Sequence, residues 1–416
     1  MKLTAPKGTK DILPSEIASW EKIEKTAKAL CSQYGFKQIR TPEFEYTDLF
    51  VRGVGERTDI VKKEMYTFAR NEKNSFTLKP EGTAPAIRAY IQNGMSNEPQ
   101  PVKLFYLTSC YRAENPQKGR MRQFHQFGCE LIGSDSPLAD AQVIILADAF
   151  IKKMGVENVK LHINTVGCPK CRKEYYEILK KFLQEKREYL CEDCLSRMET
   201  NPMRVLDCKN EKCREALANA PLMKDHLCED CEKHFETVKK ALIAAGVEYE
   251  LDAHIVRGLD YYTNTAFEFI AEGLGAQSTL CGGGRYNGLC AELGGDDSPG
   301  VGFALGIERL LLLLEEEKTD NVSDLYIAAL GDSAAMEALR IQSEMIHKGL
   351  SVSTDVMGRS LKAQMKYADK LGAQFVLIIG EDELVNGKYT LRNMSTKEQQ
   401  EILPDELEKL YVAIRG

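Results

Sequence analysis

Between Tyr111 and Gly133 the chain reads YRAENPQKGRMRQFHQFGCELIG. Arg112 and Glu114 stand at one end, and Lys118, Arg120 and Arg122 crowd a turn marked by Pro116 and Gly119. Phe124, Phe127, Leu131 and Ile132 follow as a strand. A guanidinium is a planar fork that matches phosphate oxygens, so arginines fixed on a hairpin can hold a triphosphate. Gln126 and Glu130 on the return strand can point into a small pocket. A solvated basic hairpin fits the same residues equally well, so this segment alone does not decide the chemistry.

A second constellation is built from sulfur. Of 13 cysteines, eight fall between Cys168 and Cys231, in the pairs Cys168/Cys171, Cys191/Cys194, Cys208/Cys213 and Cys228/Cys231. Three pairs are CxxC, a spacing that suits zinc, and four pairs suffice for two Cys₄ sites. Reduced, buried thiols are the alternative. The Glu-Asp fillers at 192–193 and 229–230 would lie beside thiolates, which counts against metal.

Size and composition bound what can carry these residues. A chain of 416 residues exceeds one ordinary core, and two or three domains are expected. The net charge of −7 argues against a protein that coats nucleic acid, but leaves room for a local cationic RNA-binding surface. No apolar run is long enough to span a bilayer, and the first residues lack a secretory pattern, so a cytoplasmic protein with no membrane partner is expected.

The elements that must position the chemistry follow from periodicity. Residues 15–34 read as an amphipathic helix started by Pro14 and Ser15 and stopped by Gly35. Residues 36–50 read as a strand interrupted at Pro42. Strands are expected at 75–79, 102–111, 159–164, 249–256, 265–270, 280–281 and 300–306, with a Gly-rich turn at 281–286. Helices are expected at 84–93, 138–154 (capped by Asp135 or Ser136) and 307–317. Residues 166–248 read as a helical, cysteine-rich insertion. After a charged linker at 315–322, strands at 324–330, 351–355 and 375–379 alternate with helices at 334–348 and 361–371, and a hairpin is expected at Asn386-Gly387. The fold class is therefore α+β, with residues 1–165 and 249–320 forming one domain, 166–248 inserted in it, and 324–416 forming a small α/β domain with a mostly parallel sheet.

Lys7-Gly-Thr-Lys-Asp11, Arg112, Gly306-Ile-Glu-Arg309 and above all Val256-Arg-Gly-Leu-Asp-Tyr-Tyr-Thr263 carry a resemblance over nearly the full length. The chain resembles the histidyl-tRNA synthetase family of class II aminoacyl-tRNA synthetases. The resemblance implies an antiparallel catalytic sheet with flanking helices and an anticodon-binding domain at residues 324–416. It implies ATP accompanied by Mg²⁺, L-histidine and histidine tRNA as partners, and a homodimer built on the first helix and strand. Catalysis would fall to Arg257, Arg112 and Gln126, with Arg112, Arg120, Arg257 and Arg309 on ATP. Arg257 would face the α-phosphate opposite Arg112. Histidine would meet Glu81, Thr83, Gln126, Glu130, Tyr261, Tyr262 and Tyr286, with Glu130 and Tyr262 on the imidazole. Gln117, Arg359, Lys362 and Lys366 would touch tRNA. The last three, with Lys370, form a basic stripe at helical spacing beside Tyr367. The glycines at 282–284 are read as backbone approaching a ligand.

Three other readings compete. A histidine-binding regulatory relative of the same fold would lack the last domain and the Arg257 motif. A zinc-dependent nucleic-acid-binding module would leave the arginines unexplained. A class II enzyme for proline, threonine or glycine would lack residues 257–263 and Glu130.

Overall fold

The computed structural model describes residues 3–55, 58, 60–71, 74–208, 210–256, 261–274, 278–315, 323–404 and 406–415. The chain forms two compact units, residues 1–317 and 318–416.

An eight-stranded sheet organises the first unit. Across it run Lys37–Gln38, Val102–Tyr111, Gln123–Ile132, Gly300–Gly306, Thr279–Arg285, Thr263–Ala271, Val159–Thr165 and Glu250–Leu251. The central strands pair antiparallel, and a two-residue strand pairs parallel at each edge. The Val102–Tyr111 and Gln123–Ile132 strands form the basic hairpin, in register from Val102↔Ile132 to Tyr111↔Gln123. Alternation along the return strand divides its labour. Phe127, Cys129 and Leu131 enter a core shared with Trp20, Ile23 and Ala27 of the helix Ile17–Gln33 and with Val143, Ile144 and Phe150 of the helix Pro137–Lys153. Gln126, Gly128 and Glu130 turn to the opposite face. The helix Pro137–Lys153 is capped by Ser136, whose hydroxyl accepts the Leu138 N–H at 3.2 Å.

Four expectations are corrected here. Residues 36–50 are not one broken strand. Lys37–Gln38 joins the large sheet, whereas Phe44–Tyr46 pairs with Asn74–Leu78 in a separate three-stranded sheet, and Thr47–Phe50 is helical. Pro42 lies between the two strands, where its missing N–H costs no ladder bond. Only Glu250–Leu251 of residues 249–256 is a strand. The glycines at 282–284 lie in the strand Thr279–Arg285, not in a turn. An added Cβ at Gly283 would stand 2.2 Å from the Gly302 carbonyl and 2.6 Å from Phe267, and at Gly284 2.4 Å from the Thr265 carbonyl and 2.8 Å from Tyr262. These two glycines admit neighbouring backbone and aromatic rings, while Gly282 lines the cavity described below. The helix expected at 307–317 is short, Ile307–Leu311. Most of the expected linker, residues 316–322, lies outside the described residues.

The second unit has a five-stranded sheet in the order Val352–Thr354, Leu325–Ala329, Phe375–Ile379, Tyr389–Asn393 and Gln399–Ile402. The first three are parallel and the last two antiparallel. Alternate residues of Leu325–Ala329 bury on both faces. Leu325 and Ile327 pack with the helices Asp332–His347 and Leu407–Arg415, and Tyr326 and Ala328 with Leu361–Lys370. Asn386-Gly387 closes no hairpin: Gly387, at φ 59°, ends the helix Glu381–Asn386. The hairpin turn falls at Asn393–Glu398, where the Asn393 N–H donates to the Glu398 carbonyl.

Candidate active site

Glu130 is the centre of the arrangement. It is fully buried, yet each of its carboxylate oxygens has a phenol. Tyr106 donates to Oε1 at 2.9 Å and Tyr286 to Oε2 at 2.6 Å. Room for this comes from glycines. A Cβ at Gly302, which pairs with Glu130 in register, would lie 1.9 Å from Glu130 Oε2. A Cβ at Gly128, opposite Tyr106, would lie 2.4 Å from the Tyr106 ring. Burial pushes the Glu130 carboxyl up to about 8, against the pull of the phenols. Tyr261 packs on Tyr262 with ring centroids 4.7 Å apart and stands edge-on to Tyr286 at 5.9 Å. Burial raises the Tyr261 and Tyr286 phenols well above their ordinary range, so both stay protonated.

These rings border a cavity of about 830 Å³. It is lined by Glu81, Thr83, Arg112, Arg120, Gln126, Tyr261, Tyr262, Tyr286 and Arg309, so nine of the expected residues face one space. Glu130 lies directly behind two of its lining residues, Tyr286 and Gly302. Gln117 is exposed in the hairpin turn, where its N–H and carbonyl pair with Arg120. Arg257 lies outside the described residues.

Glu81 sits just before the helix Thr83–Gln92 and accepts the N–H groups of Thr83 at 2.7 Å and Ala84 at 2.8 Å. Burial raises its carboxyl, with the two N–H donors opposing. The Gln126 side-chain oxygen accepts the Gly82 N–H at 3.2 Å, which fixes the amide beside the same turn.

The arginines are oriented by their supports. Arg112 donates from Nε to the Pro80 carbonyl at 3.0 Å and lies 5.1 Å from the Phe124 ring. Arg120 pairs with Glu114 at 2.8 Å. Arg309, in the first turn of Ile307–Leu311, is held below the usual guanidinium range by burial and by the positive charge of Arg120. Two like charges over one cavity favour an anion between them. Arg122 is structural: its backbone N–H donates to the Gly8 carbonyl at 2.7 Å, and Nε donates to the Glu114 carbonyl at 3.3 Å. The Lys7–Asp11 segment thus braces the hairpin.

Sequence reasoning missed two features. Tyr106 carried no motif; its signal was a tyrosine opposite Gly128 in the hairpin. The second is a buried ion-pair cluster. Arg285 donates from Nε to Asp140 at 2.9 Å, bonds it again through Nη2, and reaches the carbonyls of Ser134 and Ser136. His234, from the cysteine-rich segment, bonds the other Asp140 oxygen at 2.7 Å. Burial alone would raise the Asp140 carboxyl, but His234 and Arg285 together bring it below its ordinary value. The cluster anchors the residue before Tyr286.

The cysteines gather in two groups, Cys168/Cys171/Cys228/Cys231 and Cys191/Cys194/Cys208/Cys213. Within each, all four sulfurs lie within 4.8 Å of one another, a donor set that fits a metal ion. In the second unit, Lys362, Lys366 and Lys370 are exposed on the helix Leu361–Lys370. Arg359 lies 4.4 Å from the Tyr367 ring, which is itself exposed.

An antiparallel sheet that carries paired arginines on a hairpin and a third on a following short helix, joined to an α/β unit, defines a class II aminoacyl-tRNA synthetase. The family model for histidyl-tRNA synthetase matches residues 8–310, and that for an anticodon-binding domain matches residues 324–413. The chain belongs to the histidyl-tRNA synthetase family. It is 54% identical to a histidine–tRNA ligase of Caldanaerobacter subterraneus over 97% of this chain and 98% of the relative. It is 51% identical to one of Acetivibrio thermocellus, with 97% and 98% covered. The apo crystal structure of S. aureus histidyl-tRNA synthetase superposes with a TM-score of 0.83 at 41% identity, covering 99% of this chain and all of that one.

Proposed function

We propose that this chain joins L-histidine to the 3′ end of histidine tRNA through a histidyl-adenylate made from ATP. One observation supports this reading above the others: a buried acid bearing two phenols stands directly behind a cavity lined by arginines. The amino acid's carboxylate attacks the α-phosphate and pyrophosphate leaves; a hydroxyl of the tRNA's terminal ribose then attacks the histidyl carbonyl, and AMP leaves as its bond to that carbonyl breaks. No bond to the protein forms, so the residues must position two anions and neutralise the charge that builds at phosphorus.

Arg112 and Arg257 are assigned to the α-phosphate, Arg120 and Arg309 to the outer phosphates, and Mg²⁺ arrives with ATP. Glu81 and Thr83 receive the ammonium group. Gln126 lies beside the substrate carboxylate and α-phosphate. The Glu130 carboxyl, whose proton burial retains, offers one O–H donor and acceptor capacity beyond the two phenols, so it can partner an imidazole nitrogen. Tyr262 serves the other ring nitrogen, and Tyr261 and Tyr286 close the pocket. Such a pocket rejects apolar analogues because its own polar groups would be left unpaired.

Gln117 in the hairpin turn and Arg359, Lys362 and Lys366 in the second unit are assigned to tRNA. Zinc is assigned to the cysteines as a structural ion. Among the described residues no helix is long and apolar enough to cross a membrane. A homodimer in the cytoplasm is the working assembly, and the exposed aromatic residues Phe44, Tyr46 and Phe68 on the small sheet support the dimer. The test of the assigned chemistry is Arg257→Ala. Adenylate formation should be lost while histidine binding persists. Undiminished histidine-dependent ATP–pyrophosphate exchange would contradict the role.

A further inference from the structure

The cysteines lie within an apolar core that also holds Tyr175, Leu179, Leu183 and Met203 of the same segment and Tyr90 and Tyr286 of the catalytic unit. The segment's four cysteine pairs are nested. The first pairs with the fourth and encloses the second and third, which pair with each other. Neither group is a set of disulfides: all eight thiols are free, and the contacts Cys168–Cys171 at 3.6 Å and Cys191–Cys208 at 3.9 Å far exceed a bond of about 2.05 Å. A tetrahedral zinc tetrathiolate, with Zn–S near 2.3 Å, sets neighbouring sulfurs about 3.8 Å apart. The observed contacts bracket that spacing.

Helix ends and backbone donors surround the sulfurs. Cys168, Cys191 and Cys228 are each the N-cap of a helix, and Cys171, Cys194 and Cys231 lie in the first turns of those helices, at their positive ends. Backbone N–H groups donate to sulfur, from Cys228 to Cys171 Sγ at 3.1 Å and from Cys191 to Cys213 Sγ at 3.2 Å. The acidic fillers Glu192, Asp193, Glu229 and Asp230, which seemed to oppose a metal, are exposed in the same first turns, where carboxylates are favoured.

The outer group also touches the catalytic sheet. Asn264 donates from Nδ2 to Cys231 Sγ at 3.6 Å. It stands at φ 48°, unusual for a residue with a side chain, and its backbone is tied to Val166 and Gly167 at 2.7 and 3.1 Å. Its neighbour Thr263 accepts the Asn287 N–H at 3.2 Å, next to Tyr286. Asn264 is therefore two residues from Tyr262 and joins the sulfur cluster to the cavity wall. Resting on the functional reading above, we infer that each chain holds two zinc ions in nested Cys₄ sites, and that the outer one, through Asn264, positions the tyrosines that recognise histidine.

The test is elemental analysis of the full-length protein purified without added metal, combined with amino-acid-dependent pyrophosphate exchange. Two zinc ions per chain are expected, replaceable by cobalt with the visible spectrum of a tetrathiolate. A folded chain that activates histidine with one zinc or none overturns the inference and leaves the enzymatic reading standing. A chain with two zincs and no histidine activation overturns the enzymatic reading instead, and with it the role of Asn264. Because cysteine variants can fail to fold, the decisive variant is Asn264→Gly, which keeps the left-handed backbone and removes the donor. It should retain both zinc ions and raise the KM for histidine roughly tenfold with the KM for ATP unchanged. An unchanged histidine KM overturns the positioning role.

Discussion

Tyr286 donates its phenol to Glu130 Oε2 at 2.6 Å, and Gly302 leaves the gap in which that oxygen sits. The acid, the phenol and the absent side chain form one unit, so each can be tested against the others. Tyr286→Phe leaves a buried acceptor without its donor, a loss of about 1–3 kcal/mol. The KM for histidine should rise by roughly tenfold or more, which corresponds to about 1.4 kcal/mol. Exchange kinetics across histidine concentrations check this, and an unaltered KM would remove Tyr286 from the pocket.

Glu130 makes stability depend on pH. Its carboxyl is raised from an ordinary 4.5 to about 8 by burial. Between these values the unfolded chain has lost the proton that the folded chain keeps, so stability is greatest at low pH in this window and falls as pH rises towards 8. The full effect is on the order of 5 kcal/mol. Glu130→Gln cannot ionise and should flatten this slope. Thermal melts from pH 5 to 9 should show the wild-type midpoint falling relative to the variant. Parallel curves would contradict the assignment.

Gly302→Ala should be severely destabilising. The new methyl would meet Glu130 Oε2 at 1.9 Å and the Cys129 backbone carbonyl at 2.5 Å. Backbone cannot move aside as a flexible side chain can, and overpacking of this kind costs about 1–3 kcal/mol. Chemical denaturation measures the loss, and histidine activation should fall with it.

Arg309 tests the anion-binding role of the cavity. Half-buried beside Arg120, it is held below the usual guanidinium range by desolvation first and by that like charge second. Arg309→Met should lower ATP-dependent exchange by raising the KM for ATP roughly tenfold, which corresponds to about 1.4 kcal/mol. Arg112→Ala should reduce exchange by about 10²–10³. An Arg309→Met variant with an unchanged KM for ATP would contradict the assignment.

Much of the fold was legible because it follows periodicity. The hairpin 102–111/123–132 and the alternation within its return strand were readable from residue types, as was the helix capped by Ser136. What was not legible depended on partners distant in sequence. Glycines 282–284 resemble a turn locally and become a strand because the Gly302 carbonyl and the Phe267 ring require their space. Gly387 carries the same local signal in a helix cap as in a hairpin. Asp140, Arg285 and His234 are scattered over almost 150 residues, and only the sheet and the packed helix bring them together. Tyr106 had no motif at all, since its role is set by the glycine across the strand pair.

The proposed function makes one claim prior to all of these: the pocket identifies an imidazole. ATP–pyrophosphate exchange with each of the twenty amino acids in turn tests it most directly. Exchange should occur with histidine and stay at background with the other nineteen. Exchange driven by a different amino acid, or by none, would contradict the account.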